Sequence, residues 1–182
     1  MPQAYLIHGL STRDDDWFPW LEQAAKKVVK INRLYLPALD HLDPQEWQGA
    51  CDDQIKPEPG MVLIAHSLGT ITTLRYVERH QELADVRLLL VGAFDRPLPL
   101  YPPLDSFVEP TIDYSQIRPK VSHATIISAV DDTIVPHQDS LIVAHQLGAK
   151  LISPASGNHF LESDGYRQFP LALRELKKLV KA

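Results

Sequence analysis

The chain has one cysteine, Cys51, in 182 residues, no cluster of lysine and arginine, and no long apolar run. A single thiol excludes an internal disulfide and fits a reducing compartment. No stretch approaches the roughly 20 apolar residues that span a bilayer. The N-terminus enters a strand-like pattern within three residues and lacks the basic and apolar parts of a secretion signal. Together these absences place the expected location in the cytoplasm. The net charge is −5, from 18 Lys and Arg against 23 Asp and Glu. That balance argues against nucleic acid or an anionic membrane as partner. Lys177, Lys178 and Lys181 do gather near the end, where cations suit a helix C-terminus. Internal repeats and low-complexity tracts are also missing, so residues 1–182 read as one domain.

What is present is an alternation of short apolar runs with helical patterns, over a composition that is 45% apolar and 23% charged. The runs that read as strands are Ala4–His8, Arg33–Leu36, Met61–Ala65, Val86–Gly92, Ala124–Val130 and Lys150–Ile152. Helical patterns fall near Trp17–Lys30, Pro44–Ile55, Leu68–His80, Gln138–Leu147 and Phe169–Lys181. This order predicts an α/β fold, a doubly wound and mostly parallel sheet of about six strands flanked by helices. Asp43-Pro44 reads as a helix start, and Trp47, Cys51 and Ile55 recur on one face of that helix, so Cys51 is expected to be packed rather than reactive. Asp95–Pro119 breaks the alternation. Six prolines exclude a regular helix through most of it, and its place after a strand's C-terminal end suits a loop or small cap over a ligand site.

Met61-Val-Leu-Ile-Ala-His-Ser-Leu-Gly69 carries the strongest chemical signal. An apolar strand runs into a serine between small residues, Ala65 and Gly69, in an A-x-S-x-G arrangement. Such a strand-to-helix turn lifts a hydroxyl into a cleft and tolerates only small residues two positions to either side. A serine hydroxyl needs an adjacent base, itself held by an acid, and on a doubly wound sheet these are expected later in the chain in the order acid, then histidine. Of eight histidines, His159 lies just beyond the last predicted strand, with His137 the next candidate. For the acid, Asp132 follows the preceding strand in Asp131-Asp-Thr-Ile-Val-Pro136, with Asp131 and Asp95 as alternatives.

Backbone N–H groups would bind the oxyanion. Leu68, directly after the serine, and Leu10, in the loop after the first strand, are the expected donors. Trp17 and Trp20 could wall an acyl pocket, although burial against the sheet is the more economical use of their bulk, and Tyr101 of the proline-rich segment is a third pocket candidate. Asp14-Asp15-Asp16 suggests no metal site, because consecutive acids rarely converge on one ion. This chemistry asks for no metal and no cofactor.

Ile7-His-Gly9, Asp16-Trp-Phe-Pro-Trp-Leu21, Ala65-His-Ser-Leu-Gly69, Asp131-Asp-Thr-Ile-Val-Pro136 and Gly157-Asn-His-Phe160 together resemble the YdeN family of small serine hydrolases, within the α/β-hydrolase superfamily. The resemblance covers nearly the whole chain. It implies an α/β-hydrolase core without a large lid domain, and a triad of Ser67, Asp132 and His159. Where the family often shows Gly-His-Phe around the base, this chain inserts Asn158. The activity implied is hydrolysis of small carboxylic esters, or amides, through an acyl-enzyme. A non-catalytic interaction module and an acyltransferase using the same residues are the competing readings. The pocket-protein motif Leu-x-Cys-x-Glu, which would favour the former, is absent around Cys51.

Overall fold

The computed structural model describes residues 1–182. Six strands form one sheet: β1 (Gln3–Ile7), β2 (Lys30–Arg33), β3 (Val62–His66), β4 (Val86–Val91), β5 (Val121–Ile127) and β6 (Lys150–Ile152). Their spatial order is β2-β1-β3-β4-β5-β6, and every pair is parallel. The helices are α1 (Phe18–Ala25), α2 (Pro44–Gln54), α3 (Leu68–Arg79), α4 (Asp105–Val108), α5 (Tyr114–Ile117), α6 (His137–Leu147) and α7 (Pro170–Lys181). None is long and apolar enough to cross a membrane.

Strand side chains alternate between two apolar layers, as a period of two requires. Ile7, Leu63, Ala65, Leu88 and Leu90 join residues of α2, α3, α5 and α6 on one face. Leu6, Val62, Ile64, Leu89 and Val91 join α1 and α7 on the other. Burial on both faces explains why β3 is apolar throughout. Winding starts at β1, runs outward to β2, then reverses across β1 to β3. The order therefore switches between β1 and β3, and a crevice opens beyond their C-terminal ends, where open α/β sheets hold ligands.

The predicted elements are all present, with shifted ends. β2 was expected at Arg33–Leu36 and lies at Lys30–Arg33; it is an edge strand whose exposed first residue, Lys30, carries no apolar signal. Its helix neighbour, expected to reach Lys30, ends at Ala25 so that the chain can turn back into the sheet. β5 begins at Val121 rather than Ala124, because Ser122 and His123 are exposed although they extend the strand. Cys51 is fully buried, and burial pushes its thiol up to about 12. Asp43 caps α2 by accepting from the Gln45 and Glu46 N–H groups. The proline-rich segment forms only the one-turn α4 and α5 and short 3-10 turns. It packs Leu98, Leu104, Phe107 and Val108 against Trp47, Leu68 and Ile71, a third apolar cluster beside the start of α3.

Candidate active site

One residue, Ser67, joins β3 to α3. Its backbone sits at φ 54 and ψ −123, a region that costs a side-chain-bearing residue about 1–3 kcal/mol. The strain is held by hydrogen bonds on both sides. The Ser67 N–H donates to the Val91 carbonyl at 2.9 Å, and its own carbonyl accepts from the Thr70 N–H at 2.8 Å and the Thr70 hydroxyl at 2.6 Å. Small residues are needed where the sequence places them. A Cβ on Gly69 would lie 2.1 Å from the Ile7 carbonyl oxygen and 2.7 Å from that of His8. A Cβ on Gly9 would come within 2.9 Å of the Ser67 Cβ.

Gly69→Ala is accordingly expected to destabilise the fold by about 3 kcal/mol or more, since the clash is with backbone that cannot rotate away. In a chain of this size that is a fall in Tm of about 6–12 °C. Thermal unfolding checks it, and a Tm indistinguishable from wild type would contradict the packing of α3 against the end of β1.

The loop after β6 presents His159. Three of its residues hold positive φ beside it: Gly157 at 147, Asn158 at 46 and Phe160 at 56. Asn158 is the hub of the loop. Its Oδ1 accepts from the Thr133 N–H and hydroxyl, its N–H donates to Asp131 Oδ1, and its Nδ2 donates to Asp164 Oδ1. Asp164 Oδ2 in turn accepts from the N–H groups of His159 and Leu161.

So held, His159 places Nδ1 2.8 Å from Asp132 Oδ2, and both side chains are buried, at 3% and 0% exposure. Asp132 Oδ1 is fixed by the N–H groups of Ile134 and Val135, at 2.8 and 2.9 Å. A carboxylate at Nδ1 fixes the proton there and leaves Nε2 as the basic nitrogen. That nitrogen is buried without a hydrogen-bond partner in the protein, and His159 and Ser67 line one cavity. Gly92, at φ 62, makes room for the ring: a Cβ there would lie 3.0 Å from His159 Cε1.

His66 adds a second imidazole behind the first. It is 1% exposed, its Nε2 donates to the His159 carbonyl at 2.8 Å, and the two ring centroids are 4.8 Å apart. Burial, followed by the proximity of His159, pushes the His66 pKa down to about 3. A neutral His66 therefore anchors the backbone of His159. Burial likewise lowers His8, whose Nδ1 lies 2.9 Å from the Gly9 carbonyl.

The shared cavity has a volume of about 400 Å³, within the range of small-ligand sites. A larger groove of about 780 Å³ runs along the β2 edge, but no nucleophile–base pair lines it. Convergent chemistry, not volume, selects the smaller one. Tyr101, the pocket candidate of the proline-rich segment, lines it, and so does Leu10. Trp17 and Trp20 do not: Trp17 is fully buried under the sheet in the α1/α7 layer, and Trp20 packs on the same layer. Their aromatic bulk is worth more as buried area than as a pocket wall. Leu68 opens α3, so its N–H has no intrahelical acceptor, and the Leu10 N–H finds no backbone acceptor in its loop.

The alternative candidates are engaged elsewhere. His137 Nδ1 lies 3.0 Å from Ser128 Oγ. Asp131 tethers Asn158, and Asp95 accepts from Tyr114 and Arg96. Asn158, Asp164, His66 and Gly92 were not foreseen as site residues. Only the positions of Asn158 and His66, each adjoining a candidate catalytic residue in sequence, hinted at them.

Residues 4–178 match a family model described as serine hydrolase. YdeN of Bacillus subtilis (strain 168) is 32% identical over 175 residues, which cover 93% of this chain and 91% of YdeN. The serine hydrolase RBBP9 of Rattus norvegicus is 23% identical over 151 residues, 81% of this chain and 80% of that one. The crystal structure of the B. subtilis ydeN gene product superposes with a TM-score of 0.95 at 30% identity over the full length of both chains. The mouse α/β hydrolase domain-containing protein 10 superposes at 0.74 and 16% identity, over 100% of this chain and 90% of that one, a likeness of fold.

Proposed function

The chain belongs to the serine hydrolase family and has the α/β-hydrolase fold, and on that premise we propose that it cleaves small carboxylic esters, or amides, through an acyl-enzyme on Ser67. Ser67 Oγ attacks the carbonyl carbon while His159 Nε2 takes its proton. Asp132 keeps the imidazole in the required tautomer and stabilises the imidazolium that forms. The N–H groups of Leu68 and Leu10 bind the oxyanion, and the dipole at the start of α3 favours the negative charge there. His159 then returns the proton to the leaving alcohol or amine. Water, deprotonated by the same nitrogen, attacks the acyl-enzyme and releases the acid and Ser67.

The observation that carries this reading is the 2.8 Å His159–Asp132 hydrogen bond, with Nε2 left unpartnered on a residue that lines the same cavity as a serine on a strained turn. Strain at that turn has a use. It keeps the hydroxyl clear of both flanking elements, where a relaxed helix start would bury it.

The test is active-site labelling. A fluorophosphonate is expected to add one phosphonyl group to the intact protein, mapped by mass spectrometry to the peptide containing Ser67, and to leave Ser67→Ala and His159→Ala unlabelled. Failure to label folded wild-type protein would remove the nucleophile from the reading.

A further inference from the structure

The walls of the Ser67 cavity hold three carboxylates, Asp15, Asp16 and Glu162, and no lysine or arginine. Glu162 is paired with Arg167, an exposed side chain. Asp14, next in the run, is paired with Arg33 at 2.6 Å, but Asp15 and Asp16 have no cationic partner. The bonds they do make hold loops in place. Asp15 Oδ2 accepts from the Thr12 N–H at 2.7 Å. Asp16, at φ 54, accepts from the Glu162 N–H at 2.7 Å, tying the loop after β1 to the loop that presents His159. Each of these bonds needs an acceptor and no charge, so asparagine, which also tolerates positive φ, would serve equally well. The negative charge at both positions is therefore surplus to the architecture.

We infer that this cavity selects substrates carrying a positive charge near the scissile bond and discriminates against anionic ones. The inference rests on the reading of Ser67 as the hydrolytic nucleophile. The site is marked independently of its acids by His159, buried yet with Nε2 unpartnered in the same wall. A cavity of about 400 Å³ is roughly 9 Å across, comparable with the Debye length of about 8 Å at physiological salt. Charge on one wall thus reaches a substrate anywhere inside. A cleft lined with one sign raises the local concentration of the opposite sign by about 10–10³-fold. Burial, and then Asp15 and Glu162, act to raise the Asp16 pKa against the hydrogen bonds that lower it; a bound cation relieves the repulsion.

The experiment compares p-nitrophenyl 4-(trimethylammonio)butyrate with its uncharged carbon isostere, p-nitrophenyl 5,5-dimethylhexanoate, and with the p-nitrophenyl half-ester of adipic acid. Acetylthiocholine and S-(3,3-dimethylbutyl) thioacetate place the charge on the leaving group instead. Each kcat/KM is corrected for the rate of alkaline hydrolysis. The cation is expected to win by about tenfold or more in at least one isosteric pair at low salt. That ratio should shrink as salt rises and fall toward one in Asp15→Asn/Asp16→Asn/Glu162→Gln. A ratio near or below one in both pairs, or one that survives the triple substitution, overturns the inference while leaving the hydrolase reading intact. If no ester is turned over, labelling rates of a phosphonofluoridate with a trimethylammonium tail and of its tert-butyl isostere give the same ratio without deacylation. Absence of labelling by either overturns both.

Discussion

Ser67→Ala is expected to lower ester turnover by about 10⁴-fold or more, because it removes the atom that forms the acyl bond. The fold should be untouched. The bonds that hold the turn run from the Ser67 backbone to Val91 and Thr70, and alanine keeps both. The backbone strain also stays, so Tm is expected to be unchanged or slightly higher, as happens when a polar group is removed from a reactive site. Steady-state kinetics beside thermal unfolding provides the check. Activity within tenfold of wild type, in protein free of contaminating esterase, would sink the assignment. The double variant Ser67→Ala/His159→Ala should be no worse than either single one, since the pair acts as a unit.

Asp132→Asn should cost about 10⁴-fold in kcat through a subtler route. The asparagine oxygen can still accept from the Ile134 and Val135 N–H groups, which hold Asp132 Oδ1 now. Its amide would then point a donor at His159 Nδ1. The ring answers by moving its proton to Nε2, the nitrogen that must be empty to receive one from Ser67. Asp131→Asn is the control beside it. Asp131 only accepts from the Asn158 N–H, which an amide oxygen does as well, so kcat should stay within a few-fold. A larger loss at Asp131 than at Asp132 would reverse the choice of acid.

Local chemistry made much of this legible. The elbow could be read because its limits are steric and act on residues adjacent in sequence, Ala65 and Gly69. The acid and base could be ordered because a parallel sheet puts every strand's C-terminal end on one edge. Exposed strand starts were read less well, since residues such as Lys30, Ser122 and His123 carry little hydrophobic signal. The supporting groups were scarcely legible. Asn158 works by bonds to residues 25 and 27 positions away, and Asp16 by one to a residue 146 positions away. No periodicity or spacing rule spans such distances. The tryptophans left two readings open for a related reason, as an aromatic residue beside a site loop looks the same in sequence whether it faces the cavity or lies beneath it.

The proposed nucleophile and base stand on very different ground. β3, which carries Ser67, has all five residues buried and strands on both sides. β6, which leads to His159, has three residues, none fully buried, at the margin of the sheet. Proteins open first where few apolar contacts resist, at free energies well below that of global unfolding. Amide exchange is accordingly expected to be faster along β6 than along β3, so that any local opening would reach the residue proposed as base before the one proposed as nucleophile.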